Sequence, residues 1–172
     1  MKKQSNLNQK KKRIKRMGKF NDKIEAEFNP PRKWVLSRPL TYTNPDMDED
    51  ALERVGVEIK GSKITVKREF VTDLASVPRM CWAFIAPWDV ARAAIVHDLL
   101  YLRIRQYRKA HRKTLKSTED PKVVSRAKKA SDDVFHMAMK DAEPSVAKWK
   151  IAAAYYSVSM FGRWSIIPRE ED

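Results

Sequence analysis

Polar side chains interrupt two apolar stretches of the chain, and these residues have the clearest capacity for chemistry. Asp73 lies in a predicted turn, while His97 and Asp98 lie within the otherwise apolar run 93–101. A buried carboxylate or imidazole needs a hydrogen-bond partner, a counter-charge or a metal ion, because its removal from water is costly. Asp132, on a later predicted helix, is a fourth candidate.

One interpretation of these residues is a metal site with an open coordination position for hydrolysis. Histidine nitrogen combined with carboxylate oxygen suits zinc, manganese or magnesium. The adjacent His97-Asp98 pair resembles the dyad of metal-dependent phosphohydrolases, whose pattern needs further histidines upstream; here His111 and His136 both follow it. The predicted ligands are Asp73, His97, Asp98 and Asp132.

Two other interpretations use the same residues without a metal ion. Asp73 and His97 could perform acid–base catalysis with Ser76 as nucleophile, although no glycine-rich or oxyanion-binding motif supports this. Cys81 has bulky apolar neighbours and is expected to be a small buried hydrophobe rather than a nucleophile. In the structural interpretation, Asp73 caps a turn with Ser76, and His97 and Asp98 tie helices to a hairpin. The sequence leaves these interpretations open.

The elements that position these residues begin with short strands. Trp34–Leu36 and Leu40–Thr43 are predicted edge strands. Val55–Lys60 and Lys63–Phe70 alternate apolar with polar residues on either side of Gly61-Ser62, which predicts a β-hairpin with one buried face.

Helices follow the strands, so the predicted fold class is α+β, with a small antiparallel sheet packed by about three helices. Capping residues set the predicted helix ends. The predicted helices are Val90–Arg105, capped by Asp89; Pro121 to about Asp141, capped by Asp120; and Ser145–Phe161, ended by Gly162. The basic stretch Arg103–Lys116 is expected to be helix end and loop.

Helical spacing also predicts which faces are buried. In the first helix these are Ala93, His97, Leu100 and Ile104, and in the last Val146, Trp149, Ala153, Tyr156 and Met160. The five tryptophans fit core packing and a partner surface equally well.

Composition predicts a soluble protein with one domain of ordinary size. Apolar residues make up 42% of the 172, and the single cysteine allows no intramolecular disulfide. No secretory signal is recognised, and the most apolar stretch, Ile151–Phe161, is too short to span a bilayer. The acidic segment 44–50 is expected to be a solvated loop, not a calcium site. The predicted division is 1–33 as basic arm and linker, 34–164 as the globular domain and 165–172 as a tail.

Positive charge is concentrated at the start of the chain. The net charge is +14, and residues 1–19 carry nine basic residues and no acidic one. Such an arm binds polyanions, because each neutralised phosphate releases counterions. Non-specific contact with nucleic acid is the preferred interpretation; an acidic protein surface and a simple solubility tail are the alternatives. The residues expected to make the contact are Lys10, Lys11, Lys12, Arg13, Lys15 and Arg16.

Two motifs resemble the signature of a phage and prophage family, the domain of unknown function thirteen fifty-three. They are the run from Phe70 to Arg79 and the run from Ala93 to Tyr101, with weaker similarity at 131–135 and 161–163. The resemblance covers about residues 34–163, excludes the arm, and departs from the family at Glu69, Leu74 and Leu99. It implies a phage or prophage origin and carries no settled activity.

Two functions are therefore predicted. The first is a virion-associated accessory or assembly protein, in the virion or host cytoplasm, whose arm contacts nucleic acid or an acidic partner. The second is a small metal-dependent hydrolase centred on Asp73, His97 and Asp98.

Overall fold

Two small antiparallel sheets precede three long helices in the computed structural model, which describes residues 18–21, 23–31, 33–73, 87–112, 120–143, 145–170 and 172. The order of elements confirms the α+β class. The strands are β1 Lys19–Phe20, β2 Ala26–Asn29, β3 Lys33–Leu36, β4 Leu40–Thr43, β5 Lys63–Val66 and β6 Val71–Thr72. The helices are α1 Glu49–Glu53, α2 Pro87–Arg112, α3 Pro121–Lys140 and α4 Lys148–Ser165.

The strands pair in the orders β1-β4-β5 and β2-β3-β6. Residues 19–29, assigned to arm and linker from the sequence, supply β1 and β2, and the Asn29-Pro30-Pro31 segment connects β2 to β3. Adjacent prolines predict an extended linker, but they are equally compatible with a connection between two strands.

The predicted hairpin is only partly correct. Its turn is present: Gly61 and Ser62 have φ of 59° and 58°, as a tight two-residue hairpin turn requires. Its first arm, however, makes a single bridge between Ile59 and Ile64, and β5 pairs along its length with β4. Gly56, with φ of 85°, interrupts the extended backbone that this arm would need.

The acidic segment is not simply a solvated loop. Asp48 accepts a hydrogen bond from the backbone N–H of Ala51 and caps α1. The Arg126 guanidinium contacts Asp48 at 2.8 Å and Asp50 at 2.7 Å, and so connects α1 to α3. The high charge of this segment favours a loop prediction, but the segment contains a helix of about one and a half turns. Its acidic residues pair with an arginine that is distant in sequence.

Helices α2 and α3 pack together and form the centre of the core. The predicted inner face of α2 is confirmed, because Ala93, His97, Leu100 and Ile104 are all buried. The predicted cap of α3 is also confirmed, since Asp120 accepts a hydrogen bond from the backbone of Lys122. Helix α2 begins at Pro87, before the predicted cap Asp89, and continues to Arg112 through most of the basic stretch.

Helix α4 packs on the protein through a face that the sequence predicts only in part, since of the predicted residues only Ala153, and Val146 just before the helix, lie against the core. Its buried residues are Ile151, Ala154, Val158 and Gly162, while Trp149, Tyr156 and Met160 are exposed. Both faces of this helix are apolar at helical spacing, so periodicity alone could not show which one packs.

Gly162 lies inside α4 and does not end the helix. A Cβ atom at this position would overlap the Tyr101 hydroxyl on α2. The absence of a side chain therefore allows α4 to approach α2 closely. Within the described part of the chain, no helix is both long and apolar enough to cross a membrane.

Candidate functional site

His97 and Asp132 meet in the core between α2 and α3. The Nε2 atom of His97 lies 3.1 Å from Oδ1 of Asp132, and the Tyr101 hydroxyl donates to the same oxygen at 2.7 Å. The Lys128 ammonium lies 2.7 Å from the other carboxylate oxygen. We call His97, Tyr101, Lys128 and Asp132 the Asp132 cluster.

The Asp132 cluster also connects the helices to α4. Lys128 donates to the backbone carbonyls of Val158 and Ser159 at 3.2 and 3.3 Å. The His97 ring packs on Tyr101 and on Phe135, with centroid separations of 4.0 and 4.9 Å. One carboxylate thus organises contacts from three helices.

Ionisation of the Asp132 cluster is set by opposing effects. Burial raises the pKa of Asp132, but hydrogen bonds from His97, Lys128 and Tyr101 and attraction by His97 prevail, so the pKa lies below its ordinary value. Burial, followed by the Asp132 charge and hydrogen bond, raises the pKa of Tyr101. Asp132 is therefore a carboxylate and Tyr101 a neutral donor at neutral pH.

The second ring nitrogen of His97, Nδ1, differs from the other polar atoms of the Asp132 cluster. Nδ1 is buried and has no hydrogen-bond partner within the residues that the structure describes. Because Nε2 faces a carboxylate, it carries a proton whether the ring is neutral or charged; Nδ1 has a lone pair in the first case and a second proton in the other. A buried unpaired nitrogen is unusual and indicates either a tolerated cost or a functional atom.

Asp98 makes a different contact. Its carboxylate accepts a hydrogen bond from the Thr72 hydroxyl, which joins β6 to α2. The structural interpretation expects the His97-Asp98 pair to tie the helices to the hairpin; Asp98 instead contacts β6, and His97 contacts α3.

Asp73 and Asp98 line one open cavity of about 660 Å³. Its walls combine charged side chains with apolar ones from α4, including Phe161 and Trp164. His97 does not line it, although Tyr101, one turn further along α2, does. Tyr101 is therefore the member of the Asp132 cluster that reaches the cavity wall, and His97 lies behind it.

The four predicted metal ligands are not gathered into one cluster. His97 and Asp132 contact each other, Asp98 contacts Thr72, and Asp73 is an exposed residue of the cavity. Within the described ranges, no three His, Cys, Asp or Glu side chains are placed to hold a metal ion. His136 stacks on Tyr155, at 4.7 Å between ring centroids.

Several other predicted residues lie outside the described residues. They are the possible nucleophiles Ser76 and Cys81 and the arm residues Lys10, Lys11, Lys12, Arg13, Lys15 and Arg16. Their proposed roles remain predictions.

Sequence reasoning missed the partners that complete the Asp132 cluster. Tyr101 follows His97 by four residues and Lys128 precedes Asp132 by four, so each pair shares a helix face. This spacing could have identified both residues.

An exposed apolar surface on α4 is the second notable feature. Trp149, Tyr156, Met160 and Trp164 are exposed by 57, 65, 60 and 57%, and they recur at helical spacing on the side opposite the buried face. We call these four residues the outer face of α4. Sequence periodicity groups Trp149, Tyr156 and Met160 on one face of the helix but predicts that this face is buried. Contiguous exposed apolar surface of this kind marks interaction sites in soluble proteins.

Comparison with known families agrees with the motifs. The family model described as "Protein of unknown function (DUF1353)" matches residues 52–158, more than half of the chain. The chain belongs to this family. Searches of curated proteins and of solved structures found no match. The DUF1353 match spans α2, α3 and all four residues of the Asp132 cluster, but ends before Trp164.

Proposed function

We propose that this protein works by binding, as an accessory or assembly protein of a bacteriophage particle, in the virion or the host cytoplasm. The outer face of α4 is its contact surface in this proposal. The basic arm adds contact with nucleic acid or an acidic partner, and other virion proteins are the expected neighbours. The phage assignment rests on the resemblance of the two sequence motifs.

The single observation that carries the proposal is the exposure of four large apolar side chains on one face of one helix. The opposite face of α4 is already packed on the protein, so the exposed side chains are not needed to hold this helix in place. The buried polar residues, in contrast, already contact other groups of the protein. Asp132 is contacted on both carboxylate oxygens, and Asp98 accepts from Thr72.

A metal-dependent hydrolase is the second candidate, favoured by one observation. His97 Nδ1 is unpaired within the described structure, and the nearby cavity presents Asp73 and Asp98. Histidine nitrogen and carboxylate oxygen could hold zinc, manganese or magnesium, which would activate a water molecule. Of these groups, only His97 Nδ1 has no hydrogen-bond partner among the described residues.

Metal content distinguishes the two candidates. For the binding protein, we expect full-length purified chain to contain well below one equivalent of zinc, manganese or magnesium, because the candidate ligands are largely engaged by protein groups. Elemental analysis after equilibration with each metal measures this. One bound ion per chain, lost in a folded Asp73→Ala variant, would contradict the binding role and support the hydrolase.

A further inference from the structure

We infer that the outer face of α4 binds the surface of an anionic lipid bilayer. This inference rests on the proposed function, because it names the partner of the surface on which that function depends. The inference is based on the types of side chain along α4 and on the charge of this helix.

The outer face of α4 is a long, one-sided strip. Fifteen residues separate Trp149 from Trp164, which corresponds to roughly 22 Å along a helix. All four residues of the strip are more than half exposed. The opposite side, with Ile151, Ala154 and Val158, is buried in the protein. Only one side is therefore available, which suits a helix lying flat on a surface and not one that crosses it.

The order of side chains along the strip matches a membrane interface. Each end has a tryptophan with a basic residue beside it: Lys150 Nζ lies 5.9 Å from the Trp149 ring, and the Arg163 guanidinium lies 5.1 Å from that of Trp164. Tryptophan favours the boundary between headgroups and acyl chains, and long basic side chains place their charge among the headgroups. Between the ends, the strip is formed by Tyr156 and Met160.

Charge favours an anionic bilayer over a second copy of this chain. Helix α4 carries three basic residues, Lys148, Lys150 and Arg163, and no acidic residue, while the whole chain has a net charge of +14. Two copies that met through α4 would bring basic ends together in either orientation, with no acid in the helix to pair with them. Anionic headgroups attract each of these basic residues.

The cavity next to α4 is continuous with this surface. Phe161 and Trp164 belong to the cavity wall, and both are exposed, by 44 and 57%. A bilayer bound to the outer face would therefore lie against the cavity mouth, and the cavity offers apolar wall for part of a lipid.

The test compares two variants of the full-length protein that change charge equally. Met160→Glu places a carboxylate in the outer face, and Phe28→Glu places one at a 52% exposed apolar site on β2. Co-sedimentation uses vesicles of phosphatidylglycerol and phosphatidylcholine in equal parts, and vesicles of phosphatidylcholine alone. We expect Met160→Glu to bind the mixed vesicles roughly tenfold or more weakly than Phe28→Glu, since it loses burial of an apolar side chain. Circular dichroism confirms that both variants are folded.

Equal binding by the two variants would overturn the inference, because charge alone, including that of the arm, would then explain it. A dimer in light scattering that Met160→Glu dissociates, without any vesicle binding, would assign the face to a second copy and also overturn it. If Tyr156→Glu abolishes biological function while Met160→Glu and Phe28→Glu bind vesicles equally, the proposed binding role stands and the lipid assignment fails.

Discussion

Replacing Asp132 with alanine is expected to lower the free energy of unfolding by about 3–5 kcal/mol. The reason is that the change leaves a buried lysine, histidine and tyrosine without their common acceptor. Lys128 Nζ loses a partner at 2.7 Å, and its own side chain is only 15% exposed. Urea denaturation of the wild-type and variant chains, monitored by circular dichroism, measures the difference.

The adjacent residue provides a matched control for this prediction. Asp133 is on the same helix and also contacts a lysine four residues earlier, Lys129, but both side chains reach solvent. Exposed pairs of this kind contribute less than about 1 kcal/mol. Asp133 also accepts a hydrogen bond from the Tyr155 hydroxyl at 3.1 Å, so Asp133→Ala is expected to cost about 1–2 kcal/mol, less than Asp132→Ala. Similar losses for the two variants would mean that the Asp132 cluster does not hold the helices together.

The second large effect concerns the basic arm and nucleic acid. If six to ten of the chain's basic groups contact phosphates, the affinity for a DNA duplex falls by about 10³–10⁵ between roughly 50 and 200 mM salt. The arm carries nine basic residues within residues 1–19, so it could supply most of these contacts. Fluorescence anisotropy with labelled duplexes of two unrelated sequences measures both the salt slope and the expected lack of sequence preference.

A charge-matched pair of variants locates the contact in the arm. Glutamine at the six predicted arm positions, from Lys10 to Arg16, is expected to reduce the salt slope by about five, since each phosphate contact contributes about 0.9. The control replaces six exposed basic residues elsewhere, namely Arg54, Lys60, Lys63, Lys67, Arg68 and Lys122. An equal loss in both variants would contradict a role specific to the arm. Unchanged binding in the arm variant would leave it as a solubility tail.

Much of the fold could be predicted because local signals were strong. Asp120 followed by Pro121 is an unambiguous helix start, and the spacing of Ala93, His97, Leu100 and Ile104 identified the buried face of α2. The hairpin turn was recognised from Gly61-Ser62. Its pairing was not, because alternation shows that a segment is extended with one face buried but does not show which strand is its neighbour.

The less predictable features depend on contacts between distant residues. Helix α4 has two apolar faces, and contacts with distant residues, such as the close approach of Gly162 to Tyr101, determine which one packs. Similarly, His97 and Asp98 are adjacent in sequence but point to different partners, Asp132 and Thr72. Neighbouring residues on a helix are separated by about 100°, so they rarely serve one site together.

The interpretation of the four predicted metal ligands changes once their contacts are known. The sequence placed Asp73, His97, Asp98 and Asp132 in one possible set of ligands. The structure divides them between a buried cluster, a tie from β6 to α2 and an exposed cavity position. The proposed function therefore does not depend on these four residues and is based on the exposed outer face of α4.

The most direct test of the phage role proposed above is the yield of infectious particles from a phage in which this gene is altered. Full-length Tyr156→Glu is compared with His97→Gln, whose amide can donate to Asp132, and with Asp73→Asn at an exposed position, each first shown to be folded. We predict that Tyr156→Glu reduces the yield at least tenfold, whereas the other two variants support a normal yield. Normal yield with Tyr156→Glu, together with loss of yield in folded His97→Gln and Asp73→Asn, would contradict the account and favour the hydrolase.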